Sequence, residues 1–232
     1  FNHDRATVPG AVLGDVDNDG DLDLFVSKTG SQGGENDLVL NDGSGAFTSA
    51  GSRQLPGFSD KSGAAIFEDF DGDGYLDLYV CNSHWTIGPE ASGDLLMNAG
   101  AGAPGYFADA DATRFPDAFD DNLTIRNYAV AGDVDGDGDR DLIVLPHEFM
   151  GSQGSLVGSP ALFVNQGGLQ GGSTGEFREQ PGFWAPGTSF VAGGGLLADL
   201  DGDGDLDLLA TSIGGVIQAG KVQDGLLMNQ LF

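Results

Sequence analysis

Four nine-residue segments constrain this chain more than any other feature. Each has aspartate at positions 1, 3, 5 and 9 and glycine at position 6: Asp15 to Asp23, Asp69 to Asp77, Asp133 to Asp141 and Asp199 to Asp207. Their near-regular spacing marks an internal repeat, so the fold is read as one unit used four times. Every segment has the same neighbours. A small, apolar run precedes it (Ala11–Gly14, Ala64–Phe67, Tyr128–Ala131, Gly195–Ala198), and a β-type run follows (Leu24–Val26, Leu78–Val80, Leu142–Val144, Leu208–Ala210). A third run ends in asparagine at Asn41, Asn98, Asn165 and Asn229. In the first three repeats a glycine-rich turn then reaches an aromatic, Phe47, Tyr106-Phe107 or Phe177.

Short apolar runs separated by Gly, Asn and Asp read as antiparallel strands. Each repeat therefore supplies about four strands, A to D, with the aspartate loop between A and B. Four-stranded sheets repeated along a chain are the blades of a β-propeller. The expected fold is all-β, a single domain over 1–232 with four blades of four antiparallel strands and a Ca²⁺ hairpin loop in each. The fourth repeat stops at Asn229 to Phe232, where a D strand is expected, while Phe1 to Val8 precedes the first A strand. The two ends are thus expected to pair in one sheet and close the ring. Part of a larger propeller, or half-rings pairing into eight blades, remains the alternative.

Composition narrows the partners. Glycine makes up 40 of 232 residues, more than twice ordinary usage, and it falls at patterned turn positions. There are 36 acidic and nine basic residues, for a formal charge of −27. Such a chain repels phosphate backbones and anionic surfaces and attracts cations, which excludes nucleic acid as a partner. No apolar run reaches the length of a membrane span. The lone cysteine, Cys81, allows no intrachain disulfide and reads as a small buried residue rather than a nucleophile.

The loops have the chemistry of a calcium site. Ca²⁺ takes about six to eight oxygens at roughly 2.3–2.6 Å. The side chains of Asp15, Asp17, Asp19 and Asp23 can converge on one point, as can Asp69, Asp71, Asp73 and Asp77 in the second loop. The third offers Asp133, Asp135, Asp137 and Asp141, and the fourth Asp199, Asp201, Asp203 and Asp207. Position 7 (Asp21, Tyr75, Asp139, Asp205) would give its backbone carbonyl, which tolerates the tyrosine. An EF-hand would need a bidentate Glu at position 12 between helices. Val26, Val80, Val144 and Ala210 stand there instead, between strands. About four Ca²⁺ are expected, one per repeat.

These residues resemble the FG-GAP/VCBS repeats of calcium-binding β-propellers, which include the integrin α-subunit head. Gly14 to Val26, followed by Leu38 to Phe47, is similar to the cartilage-acidic-protein (ASPIC/UnbV-associated) type. The resemblance implies a propeller, a hairpin calcium site in each blade and an extracellular or cell-surface setting. Arg140 departs from the pattern, standing where the other repeats have Leu22, Leu76 and Leu206.

With the A–B loops on one edge, the B–C and D–A segments fall on the other. These hold His84, Trp85, His147, Glu148 and Trp184, the candidate ligand face for a glycan or an extracellular protein. The favoured function is a secreted, lectin-like or adhesive recognition module. A structural, calcium-storing scaffold is the alternative, and a glycan-processing enzyme using His147, Glu148 or Glu90 is the third reading.

Overall fold

A computed structural model describes residues 7–29, 35–51, 54–56, 62–82, 93–115, 125–147, 149–151, 154–156, 160–183, 192–212, 217–223 and 226–229. The first blade runs β1 (Thr7–Gly14), β2 (Asp23–Thr29), β3 (Asp37–Asn41) and β4 (Phe47–Ser49). The second is β5 (Ser62–Glu68), β6 (Asp77–Asn82), β7 (Asp94–Asn98) and β8 (Phe107–Asp109), followed by one helical turn, α1 (Asp111–Arg114). The third blade begins with β9 (Ile125–Gly132) and β10 (Asp141–His147). A small separate hairpin follows, β11 (Phe149–Gly151) with β12 (Gly154–Leu156), before β13 (Ala161–Asn165) and β14 (Phe177–Glu179) complete the blade. The fourth is β15 (Ala192–Ala198), β16 (Asp207–Ser212), β17 (Ile217–Gln223) and β18 (Leu226–Asn229). Each blade is an antiparallel meander of four strands, the arrangement expected of propeller blades.

Strand alternation explains how the blades stack. Successive side chains of a strand face opposite sides of the sheet. In β6, Leu78 and Val80 enter a core shared with the first blade, with Val16, Phe25 and Leu38. Tyr79 and Cys81 enter another shared with the third, with Leu142, Val144 and Phe163. In β10 the other register, Ile143 and Leu145, meets Leu208 and Ala210 of the fourth blade. The two middle blades are therefore buried on both faces, which is why every residue of β6 is buried. Cys81 is fully buried, and burial pushes its thiol pKa up, as a structural cysteine requires.

The A strands pack in series, β1 against β5, β5 against β9 and β9 against β15. Among the described residues no comparable contact joins β15 to β1, and the four sheets do not close into a ring. The fourth blade also differs from expectation. Leu226–Asn229 was expected as its third strand, but β17 takes that place, pairing Leu209 with Ala219, and β18 pairs outside it as the fourth. Gln223 pairs with Leu226, and the two residues between them are Asp-Gly, the composition most favoured for a two-residue hairpin. The expected partnership of the chain ends is accordingly not seen among the described residues. Thr7 pairs with Thr29 in the first sheet, and the outer place in the fourth is held by β18. Residues 1–6 and 230–232 lie outside the described set.

The asparagine that ends each third strand ties one blade to the one before. Asn98 Nδ2 donates to the Leu76 carbonyl of its own loop at 3.1 Å and to the Val16 carbonyl of the preceding loop at 2.8 Å. Asn165 Nδ2 repeats this with Arg140 at 3.0 Å and Phe70 at 2.8 Å. Asn41, half-buried, donates from Nδ2 to its own Leu22 carbonyl at 3.3 Å in a solvent-exposed bond. Asn98→Ala should therefore lower unfolding free energy by about 2–3 kcal/mol, because buried partners lose their bonds. Asn41→Ala should cost under about 1 kcal/mol. Urea unfolding of both variants measures the difference.

Candidate metal centres

Backbone geometry shapes each loop before any ion is considered. Position 6 is left-handed in all four, with φ of 97° at Gly20, 88° at Gly74, 99° at Gly138 and 98° at Gly204. Position 4 is left-handed too, at Gly72, Gly136 and Gly202 and at Asn18, whose φ of 57° is the sole positive value on a non-glycine among the described residues. Asparagine is one of the few side chains that tolerates this region. The invariant glycine at position 6 marks one of these turns in the sequence, but the second is less conspicuous there. The Asn/Gly/Gly/Gly column at position 4 carried the missing signal.

The position 1 aspartate folds the loop around itself. Asp69 Oδ1 accepts the Gly72 and Asp73 amides at 2.8 and 3.1 Å, and its Oδ2 accepts Gly74 at 3.0 Å. Asp15, Asp133 and Asp199 accept the corresponding amides in their loops. Position 5 accepts the amide of position 7, as in Asp73 from Tyr75 at 2.9 Å. Position 9 is buried and reaches across the blade. Asp77 Oδ2 accepts the Phe70 amide at 3.0 Å, and Oδ1 accepts the Asn98 amide at 2.8 Å. Asp23 and Asp141 do the same, while Asp207 accepts the Leu200 amide at 2.9 Å.

Carboxylates converge in every loop. Oxygens within 4.8 Å of one another come from Asp15, Asp17 and Asp19, from Asp69, Asp71 and Asp77, from Asp133, Asp135 and Asp141, and from Asp199, Asp201 and Asp203. Positions 1 and 3 belong to every group, joined by position 5 in the outer blades and position 9 in the middle ones. Asp73, Asp137, Asp23 and Asp207 complete the expected sets from the same loops but stand outside these groups. The side chains at position 7, Asp21, Tyr75, Asp139 and Asp205, stand outside them as well, as a carbonyl role allows. Position 3 carries the most telling detail. Asp17, Asp71 and Asp135 each have one carboxylate oxygen shielded from solvent without a hydrogen-bond partner. Leaving a charged acceptor so costs several kcal/mol unless a cation satisfies it, and a cation at the convergence point would do so.

Electrostatics agree. Burial pushes the Asp77 and Asp141 carboxyls up to about 7, against the lowering effect of the two amides each accepts. Burial, then neighbouring carboxylates, also raises Asp17 and Asp135. Asp71 is raised in the same way, opposed by Arg114, which lies 3.7 Å away. Asp139 rises to about 7 through burial and the carboxylates beside it.

The C–D turns share this edge with the A–B loops: the Leu169 amide donates to Asp137 at 2.9 Å. Between the second and third loops lies an open cleft of about 540 Å³, lined by Glu68, Asp69, Asp71, Asp137, Asp139 and Arg140 among others. Of the candidate ligand face, His147 ends β10, at the strand end away from Asp141. His84, Trp85, Glu148 and Trp184 lie outside the described residues, as does Glu90.

Carboxyls whose folded pKa is raised stabilise the fold below their unfolded pKa and lose that contribution as pH rises through the folded value. In chelator, the melting temperature should therefore fall as pH is raised from about 5 to about 8, through the region near 7 where Asp77 and Asp141 ionise. Thermal melts monitored by circular dichroism in EDTA measure this, and a flat profile would contradict the assignment.

The FG-GAP-like repeat family model matches residues 15–80 and 133–210, more than half of the chain. No curated protein matches the chain by sequence. The repeated loop, its position in an antiparallel blade and this match agree, and the chain belongs to the FG-GAP-like repeat family.

Proposed function

We propose that each blade wraps one Ca²⁺ and that the loaded protein is an extracellular recognition module for a glycan or a protein. The observation carrying the calcium reading is the shielded, unpartnered oxygen of Asp17, Asp71 and Asp135, aspartates that also belong to the converging carboxylate groups. The donors are all hard oxygens, which favours Ca²⁺, Mg²⁺ or Mn²⁺ over softer transition metals. Loops offering many carboxylates suit the larger ion, whose coordination geometry is adaptable, since Mg²⁺ demands near-octahedral geometry and gives up water reluctantly. Bound ions would neutralise the crowded acids and stabilise the folded state. Sites without the bidentate glutamate of an EF-hand suit the high calcium of an extracellular setting. The likeness of Gly14 to Val26 to cartilage-acidic-protein repeats supports the same setting.

The recognition reading rests on Trp85, Trp184, His84 and Glu148, which the sequence pattern assigns to connecting segments, and on His147, which ends β10 away from Asp141. Aromatic faces stack on the apolar faces of sugars or anchor a protein partner. Fold does not decide between these ligands or a purely structural role.

Calorimetric titration should show about four Ca²⁺ per chain, with Mg²⁺ failing to displace them at equal concentration. Asp71→Asn should remove about one equivalent. A chain that takes up no Ca²⁺ at millimolar concentration would overturn the metal assignment. A glycan array in calcium tests recognition: selective binding lost in Trp85→Ala or Trp184→Ala supports a lectin-like module. A blank array with calcium uptake intact would favour a protein partner or a scaffold.

A further inference from the structure

A single line of hydrogen bonds runs through the first three loops. In the first, the Val16 amide donates to Asp23 at 3.0 Å, and the Val16 carbonyl accepts Asn98 Nδ2 at 2.8 Å. The Asn98 amide donates to Asp77 of the second loop at 2.8 Å, and the other Asp77 oxygen accepts the Phe70 amide at 3.0 Å. The Phe70 carbonyl accepts Asn165 Nδ2 at 2.8 Å, and the Asn165 amide donates to Asp141 of the third loop at 2.9 Å. Asp141 in turn accepts the Val134 amide at 2.9 Å. A second tie joins the second and third loops: Arg140, whose carbonyl Asn165 also holds, places Nε 3.3 Å from Glu68 Oε1.

Both asparagines are locked in this orientation. Asn98 Oδ1 accepts the Gly100 and Gly105 amides at 3.2 Å, and Asn165 Oδ1 accepts the Gly175 amide at 2.7 Å, which leaves Nδ2 as the donor. The two residues are 7% and 0% exposed, and their bonds to the preceding loop are buried.

The line passes through the acids that converge. Asp77 and Asp141 belong to the carboxylate groups of their loops. Val16 and Phe70 stand at position 2, so the carbonyls held by the asparagines belong to the peptides leading into Asp17 and Asp71. These are position 3 acids with a shielded, unpartnered oxygen. An ion that fixes Asp77 therefore fixes the backbone of Asn98, and Asn98 fixes the peptide that carries Asp17. The same step runs from Asp141 through Asn165 to Asp71.

The fourth loop lacks this link. Leu24 pairs with Val39, Leu78 with Leu96 and Leu142 with Phe163, and in each blade the asparagine stands two residues beyond that partner. In the fourth blade Leu208 pairs with Gly220, which puts Val222 in the asparagine's place. Valine has no side-chain donor for the carbonyl of Val134.

We infer that the first three loops take up Ca²⁺ cooperatively, coupled through Asn98 and Asn165, while the fourth fills independently. The inference deepens the calcium reading proposed above and rests on it. The first ion orders backbone that the next would otherwise have to order, so the next binds more tightly, and linkage makes the effect equal in both directions. Coupling of this kind changes affinity by about 5–150-fold.

Titration of the folded chain with Ca²⁺ at a calcium-selective electrode should show about three equivalents entering cooperatively and about one with simple saturation. Asp135→Asn, which removes the third-loop ion, should weaken uptake by the second loop about tenfold. Asp201→Asn, which removes the fourth-loop ion, should leave the other equivalents with their original affinity and cooperativity. Asn165→Ala should keep every equivalent and lose the coupling between the third loop and the first two. If that variant unfolds, the comparison of Asp135→Asn with Asp201→Asn decides alone. Independent uptake at all four loops would overturn this inference and leave the calcium reading standing, as would equal effects of those two variants on the remaining sites. A chain that takes up no Ca²⁺ would remove both.

Discussion

A buried carboxylate at the ninth position of each loop is the interaction on which the blades depend. Asp23, Asp77 and Asp141 are 0–1% exposed, and each accepts one amide from its loop and one from the asparagine ending the third strand. One side chain thus fixes the loop, the second strand and the third strand together. In the second and third blades that asparagine holds the carbonyl of the preceding loop. Loop shape and blade stacking are therefore a single hydrogen-bonded chain, and an ion bound in one loop would stiffen its neighbour as well.

Burying a carboxylate beside three or four others is costly. Asp77 and Asp141 resist ionisation, and Asp17, Asp71 and Asp135 each hold a shielded oxygen with nothing to bond. Both features have one remedy, a cation shared among them. Arg114 supplies a small part of it in the second loop, standing beside Asp71 while donating to the Thr174 carbonyl of the next blade at 3.0 Å. The other loops have no arginine in this role among the described residues.

Much of the fold could be read before any coordinates. Aspartate spacing located all four loops, and the apolar runs located the strands beside them, because both follow from local chemistry. What escaped was non-local or fell in unrepeated sequence. The β11–β12 hairpin and β17 lie in insertions with no counterpart in the other repeats, so comparison between repeats is silent on them. Leu226 to Asn229 looks like a third strand by likeness to Leu38 to Asn41, yet the neighbouring Ile217 to Gln223 claims that place in the sheet. The asparagines were visible as a column, but their reach to the preceding blade spans 82 residues at Asn98 and 95 at Asn165, beyond any local pattern. Carboxylate convergence was expected from positions 1, 3, 5 and 9 alike, and the tight groups instead choose between 5 and 9. The candidate ligand face sits in the variable segments, where repetition offers no guide.

The Glu68–Arg140 pair also bears on how four similar units find their order. Chains of near-identical repeats are prone to pairing the wrong neighbours as they fold. Two of the internal junctions use the same glycine-and-leucine contact and would accept each other's partners. Those two set Gly14 against Leu76 and Gly132 against Leu206, whereas Arg140 Nε lies 3.3 Å from Glu68 Oε1 between the second and third blades. Arg140 set behind Gly14 would meet no carboxylate at that position, and Glu68 facing Leu206 would meet no cation. One charged pair at the centre of the series therefore marks which blade follows which, giving a repetitive chain a fixed reading direction.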